Sequence, residues 1–356
     1  MFFISINCGY LSILRKCKGV DFDQTLLYSL PMLLMWCLLI GGQYNVGADY
    51  FSYMEMFVHG SNLDYVNNRG EYAFSWFIET CQSIGIYGQG IFFAIAFVWS
   101  VIFLYITHSL VGSKYIYLFL FVYIVFSGGF NNQMNGIRQY FAMYVLWLAI
   151  TLFWKRYNLS SIILFVVVPF FHQSSLAIMA ILPILYYWVI GWSERKWLYG
   201  ILVTGMVCSI LISDKVIAYF LPYFDQYADF LNSDLLGDQD PLLILTKYVY
   251  LPLFLYAIFL FPKMNLDVTY KKMFVFGLCG YTLRLSVLTM SLVSRLGGYL
   301  LLFSCIPLVY LLIYLKREKR NVLYYLILIY LLLPYGIKVL MFARWEYTYR
   351  FFLFFS

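Results

Sequence analysis

Four short stretches hold the side chains of this sequence that could do chemistry. The first is Val46-Gly47-Ala48-Asp49-Tyr50-Phe51-Ser52-Tyr53-Met54-Glu55, whose carboxylates could bind, orient or deprotonate a hydroxyl group. A plainer role for Asp49 is to cap an interfacial helix. The second is Asn135-Gly136-Ile137-Arg138-Gln139, at the start of an apolar run. A helix N-terminus offers free N–H groups and the positive end of a dipole, and a guanidinium there adds a planar fork suited to phosphate oxygens. The alternative is a solvated flanking arginine. The third is His172, in Phe170-Phe171-His172-Gln173-Ser174-Ser175 between two apolar runs, as a base, a phosphate ligand or a structural hydrogen-bonder. The fourth is the pair Arg284 and Arg295. A cation near the middle of an apolar helix costs about 2.5–3.5 kcal/mol on the insertion scale, so Arg284 must pair or face a cavity. Pairing with a carboxylate or carbonyl of a neighbouring helix would account for it. Arg295 opens the next run as Ser294-Arg295-Leu296-Gly297-Gly298-Tyr299.

The elements that must position these groups are apolar helices. The 356 residues are 63% hydrophobic and 12% charged, with mean hydropathy +0.79. A soluble domain is about a quarter charged, so the chain reads as an all-α, polytopic integral membrane protein. Helices are expected near 26–42, 91–108, 115–130, 139–154, 159–171, 174–190, 197–213, 242–262, 273–291, 297–315 and 321–340. That gives about eleven spans, or about twelve if residues 1–14 also cross. The expectation is one membrane domain over 1–356, with longer segments at 43–90 and 214–240. Within the first, a surface helix over 71–87 would turn Glu71, Ser75, Glu79 and Gln82 to one face and Phe74, Phe77, Ile78, Cys81 and Ile84 to the other.

Charge sorts by connection. Arg15/Lys16/Lys18, Lys155/Arg156, Arg195/Lys196, Lys271/Lys272 and Lys316/Arg317/Lys319/Arg320 occupy every second connection. The others hold Asp49, Glu55, Glu71 and the acidic run Asp225, Asp229, Asp234, Asp238 and Asp240. Basic loops stay in the cytoplasm, so the second set faces out, with all four candidate stretches on or near that side. Lys338, Arg344 and Arg350, also expected outside, depart from the rule. The net charge of +7 is topological and gives no ground for a nucleic-acid partner. The seven cysteines lack CxxC or Cys/His spacing, so neither a metal site nor a disulfide is expected.

At these residues the sequence resembles the EpsG-like family of Wzy-type O-antigen and exopolysaccharide polymerases. The matching pieces are VGADYFSYMEMF at 46–57, EYAFSWF at 71–77, NGIRQYFAMYVLWLAI at 135–150, FHQSSLAIMAILP at 171–183 and SRLGGYLLLF at 294–303, in the family's order. Two departures stand out: Gln43-Tyr44-Asn45 replaces the arginine often found before the Gly-x-Asp-Tyr motif, and the motif reads Gly-Ala-Asp rather than Gly-Thr-Asp. The resemblance implies a glycosyltransferase-C-like helical bundle in the bacterial inner membrane, active on its periplasmic face. The expected substrate is an undecaprenyl-pyrophosphate-linked oligosaccharide, met among membrane lipids, with a chain-length regulator as a pathway partner. Asp49, Glu71 and His172 are then the candidate catalytic groups. Arg138, Arg284 and Arg295 are the candidate pyrophosphate ligands, and Tyr50, Tyr53, Gln139 and Tyr299 the candidate substrate contacts. The scheme requires no metal or other cofactor. An O-antigen ligase, or another lipid-linked glycosyl- or acyltransferase, is the nearest alternative. A flippase would need polar groups along a central path, whereas these charges gather at one side.

Overall fold

A computed structural model describes residues 29–193, 195–220, 248–286, 296–341 and 348–354. Residues 1–14, most of the acidic segment 214–240, Arg295 and Arg344 lie outside the described residues. The described residues form an all-α fold. Helices α1 (Leu30–Gly41), α2 (Tyr50–His59), α3 (Leu63–Asn68), α4 (Tyr72–Ser83) and α5 (Gln89–Val111) come first. After a 3-10 turn at Ser113–Tyr115 follow α6 (Ile116–Val122), a π-helical turn at Tyr123–Ser127 and α7 (Gly129–Asn132). Then come α8 (Ile137–Trp154), α9 (Asn158–Val167), α10 (Ser175–Trp192), α11 (Lys196–Phe220), α12 (Leu251–Leu260) and α13 (Val268–Ser286). A 3-10 turn at Leu296–Leu300, α14 (Leu301–Ser304), α15 (Ile306–Arg317), α16 (Asn321–Met341) and a last 3-10 turn at Phe352–Phe354 follow.

Among the described residues, the eleven expected helices each have a helical counterpart. By length and composition, Gln89–Val111, Ile137–Trp154, Leu296–Arg317 and Asn321–Met341 are each able to cross a bilayer, and shorter apolar helices accompany them. The protein is a polytopic membrane protein. Exposed Leu326, Ile329, Leu333 and Leu340 on α16 suit a lipid-facing surface, because lipid tails carry no penalty for apolar contact.

Two expectations change. The run 115–130 is not one helix. Its hydrogen-bonding pattern widens to a π turn at Tyr123–Ser127, and Gly128 (φ 67°) then breaks it. The 71–87 helix is the shorter Tyr72–Ser83. Ser75 is buried beside Phe74 and Ile78, while Ile84 is exposed past the helix end. The amphipathic period is present, but tertiary packing rotates the buried face toward Ser75 and Glu71.

The chain packs as two compact units. The first comprises 1–124, 128–176 and 338–356. Its centre is aromatic: Trp99 stacks on Tyr144 at 5.2 Å, and Trp36 meets Phe103 at 4.8 Å. Residues near the C-terminus join this unit through the backbone. Tyr44 N donates to Arg350 O at 3.0 Å, and Phe352 N to Gly42 O at 2.9 Å. That pairing fixes residues 350–352 beside the start of the Gly-Ala-Asp segment. The second unit comprises 125–127 and 177–337. There Phe254 stacks on Tyr281 at 3.7 Å, and Tyr250 donates its hydroxyl proton to Val125 O at 3.1 Å.

Candidate active site

The site is built around Glu71. Among the described residues it is the one charged residue that is buried, with its side chain 1% exposed. Glu71 stands at the N-cap of α4 but makes no side-chain capping bond. Its carboxylate instead accepts from groups distant in sequence. Arg138 Nη1 donates to Oε2 at 2.6 Å across 67 positions, and His172 Nδ1 lies 2.6 Å from Oε1 across 101. The backbone N–H of Gln173 adds a longer bond to Oε1 at 3.4 Å. Burial pushes the Glu71 carboxyl upward. The hydrogen bond and charge of His172, the Arg138 guanidinium and the Gln173 N–H outweigh that and hold it below the usual carboxylate value. Glu71 is therefore ionised, so the proton in the His172 bond sits on Nδ1. Nε2 of a neutral ring is left with its lone pair.

Local sequence explains how three segments meet. Gly70 adopts φ 73°, which lets the chain leave α3 and begin α4 within one turn; a side chain there would be strained and would press on Gln173 Nε2 at 3.2 Å. Phe171 stacks on Phe141 at 4.4 Å and 6°, pinning the turn that carries His172 against α8, the helix that carries Arg138. Phe77 packs on the same Phe141 ring at 5.0 Å. The Glu71 carboxylate is buried, and the low dielectric around it strengthens its pairing. Arg138 and His172 remain 18% and 20% exposed, so the ion triad presents a cation and an imidazole at its accessible edge.

The Gly-Ala-Asp segment docks beside the triad. Gly47, at φ 81°, lies so close to the Asn135 side chain that a Cβ would collide with it. Asn135 Oδ1 in turn accepts from Asp49 N at 3.3 Å. Asp49 occupies the N-cap position of α2 without a side-chain capping bond and is exposed. Tyr53 is buried, and its hydroxyl accepts from Arg138 N at 3.5 Å. Burial, opposed by Arg138 and assisted by Asp49, raises the Tyr53 hydroxyl above its ordinary value, so it stays protonated.

The structure thus brings Asp49, Tyr53, Glu71, Arg138 and His172 into one region of the first unit. Tyr50 is buried, stacked on Phe92 at 5.3 Å with its hydroxyl donating to Gln89 at 3.1 Å. Gln139 is buried as well. In the second unit Tyr299 is fully buried. Arg284 there donates Nη2 to Ser127 O at 3.1 Å and Nη1 to Phe126 O at 3.5 Å, with its guanidinium 5.2 Å from the Phe126 ring. Those carbonyls end the π turn, where a widened ladder leaves acceptors to be satisfied. Sequence reasoning passed over Tyr65 and Arg69. Arg69 Nη1 donates to Tyr65 OH at 2.6 Å, and Arg138 also approaches the Tyr65 ring, at 6.0 Å. The signal was present in the run Arg69-Gly70-Glu71, a cation two residues from the buried acid across a turn-forming glycine.

The EpsG family model matches residues 25–353, nearly the whole chain, and the chain belongs to that family, a Wzy-like polymerase family. Neither the curated proteins nor the solved structures contain a match to it.

Proposed function

We propose that this EpsG-family chain joins undecaprenyl-pyrophosphate-linked repeat units by glycosyl transfer on the periplasmic face of the bacterial inner membrane. The observation that carries the proposal is the shared carboxylate: Glu71 holds both Arg138 and His172 at 2.6 Å. His172, oriented through Nδ1, takes the proton of the acceptor hydroxyl at Nε2. The acceptor oxygen bonds to the anomeric carbon of the donor sugar as the bond from that carbon to the diphosphate oxygen breaks. The electron pair leaves with the lipid diphosphate. Pyrophosphate is a good leaving group, so positive charge where negative charge develops matters more than a general acid. Arg138 supplies it through the guanidinium edge not used by Glu71. Glu71 is a positioning residue in this scheme, and exposed Asp49 binds or orients the acceptor sugar. Support for the periplasmic side comes from the alternation of basic and acidic connections.

Deletion of the gene, followed by analysis of surface glycolipid, tests the reading. Loss of a polymerase leaves a single repeat unit on the lipid core. Loss of a ligase leaves bare core with lipid-linked polymer accumulating, and loss of a flippase traps units inside. Either of the last two patterns would overturn the proposal.

A further inference from the structure

The charge balance around Arg138 leaves a requirement unmet. A diphosphate leaving group departs with more negative charge than one guanidinium can balance, and Arg138 is already paired with the buried Glu71 carboxylate. One guanidinium in an ion pair is a weak sink for that charge. A second cation stands nearby. Arg69 ends α3 and donates Nη1 to the Tyr65 hydroxyl at 2.6 Å, with its guanidinium 5.3 Å from the centre of the Tyr65 ring. Arg138 lies 6.0 Å from the centre of the same ring. Among the described residues no carboxylate forms an ion pair with Arg69. Tyr65 is 53% exposed and Arg69 is partly exposed, so both are open to a ligand. The negative face of the Tyr65 ring attracts both guanidiniums, while the Glu71 carboxylate pairs with Arg138 alone of the two.

We infer that Arg69, held by Tyr65 beside Arg138, is a second ligand for the diphosphate of the lipid-linked donor. The inference rests on the polymerase reading above and adds to it a second guanidinium that no carboxylate among the described residues pairs with. Arg138 and Arg69 each grip one phosphate, and Tyr65 fixes their spacing. The arrangement should favour a diphosphate over a monophosphate, because a single phosphate cannot satisfy both forks.

The test uses the full-length protein in lipid nanodiscs, with undecaprenyl pyrophosphate and undecaprenyl monophosphate as the two probes. In the wild type the diphosphate should bind more tightly. Arg69→Gln should weaken diphosphate binding about tenfold and monophosphate binding less than threefold. Arg69→Lys, which keeps the charge without the fork, should lose about threefold on the diphosphate and supplies the measurement if the glutamine variant does not accumulate. Diphosphate affinity unchanged in Arg69→Gln, or both probes weakened equally, overturns the role of Arg69 while leaving the polymerase reading intact. A wild-type protein that does not bind undecaprenyl pyrophosphate overturns that reading itself, and the inference with it.

Discussion

Glu71 Oε1 lies 2.6 Å from His172 Nδ1, a charge-assisted hydrogen bond between an acid and an imidazole 101 positions apart. A buried, ionised carboxylate in that position fixes the ring's tautomer and plane and stabilises the imidazolium that forms when Nε2 accepts a proton. The same carboxylate closes an ion pair with Arg138. Disturbing any one of the three should disturb the other two.

Glu71→Gln should be the most damaging single change. It leaves the Arg138 charge without its counter-ion and removes one acceptor, and breaking a buried pair from one side costs about 3–5 kcal/mol. Thermal unfolding of the purified protein should fall accordingly, and polymer formation should drop below detection. Glu71→Asp, one methylene shorter, should keep part of the stability and little of the activity.

Stability should depend on pH through Glu71. Its folded-state value is depressed, so its contribution is fully present above the ordinary carboxylate value and is lost as pH falls through the lower folded one. Thermal unfolding of the wild type should therefore decline on acidification below the usual carboxylate range. Glu71→Gln should show a flatter profile over that window, and parallel curves would remove Glu71 from the account.

Gly47→Ala should separate the two motifs that dock on each other. The left-handed backbone at 47 and the collision with Asn135 each oppose a side chain, together costing about 1–3 kcal/mol. Asn135→Ala should show a milder loss of the same kind, by removing the acceptor for Asp49 N. Membrane abundance and polymer length, measured together, distinguish misfolding from misplacement.

Arg138→Lys keeps a positive charge but cannot bond Glu71 and a phosphate from one planar group. Polymerisation should fall about a hundredfold with the protein still in the membrane. Wild-type ladders in this variant would show that a point charge suffices.

Much of this architecture was legible in the sequence, because hydropathy over a span is a strong signal. Apart from the broken run 115–130, the expected helices have helical counterparts among the described residues, and Arg138 and His172 stood out as polar groups at helix ends. Glu71 was harder to read. Its place in a helical period put it on a polar face with Ser75 and Glu79, and only partners 67 and 101 positions away turn that face inward. Arg284 was legible as a cation in need of acceptors. That its acceptors are the Phe126 and Ser127 carbonyls depends on a π turn that no glycine or proline announces before Gly128. Tyr65 and Arg69 escaped notice because a tyrosine–arginine pair one helical turn apart resembles an ordinary exposed surface.

The proton transfer assigned to His172 can be tested by chemical rescue. Purified His172→Ala protein is supplied with lipid-linked repeat units, and polymer formation is followed with and without added imidazole. The rate should fall at least about a hundredfold, and imidazole, but not a non-basic analogue of similar size, should restore a measurable part of it. A His172→Ala enzyme that polymerises at the wild-type rate would remove the imidazole from the chemistry and leave the Glu71 pairing a purely structural one.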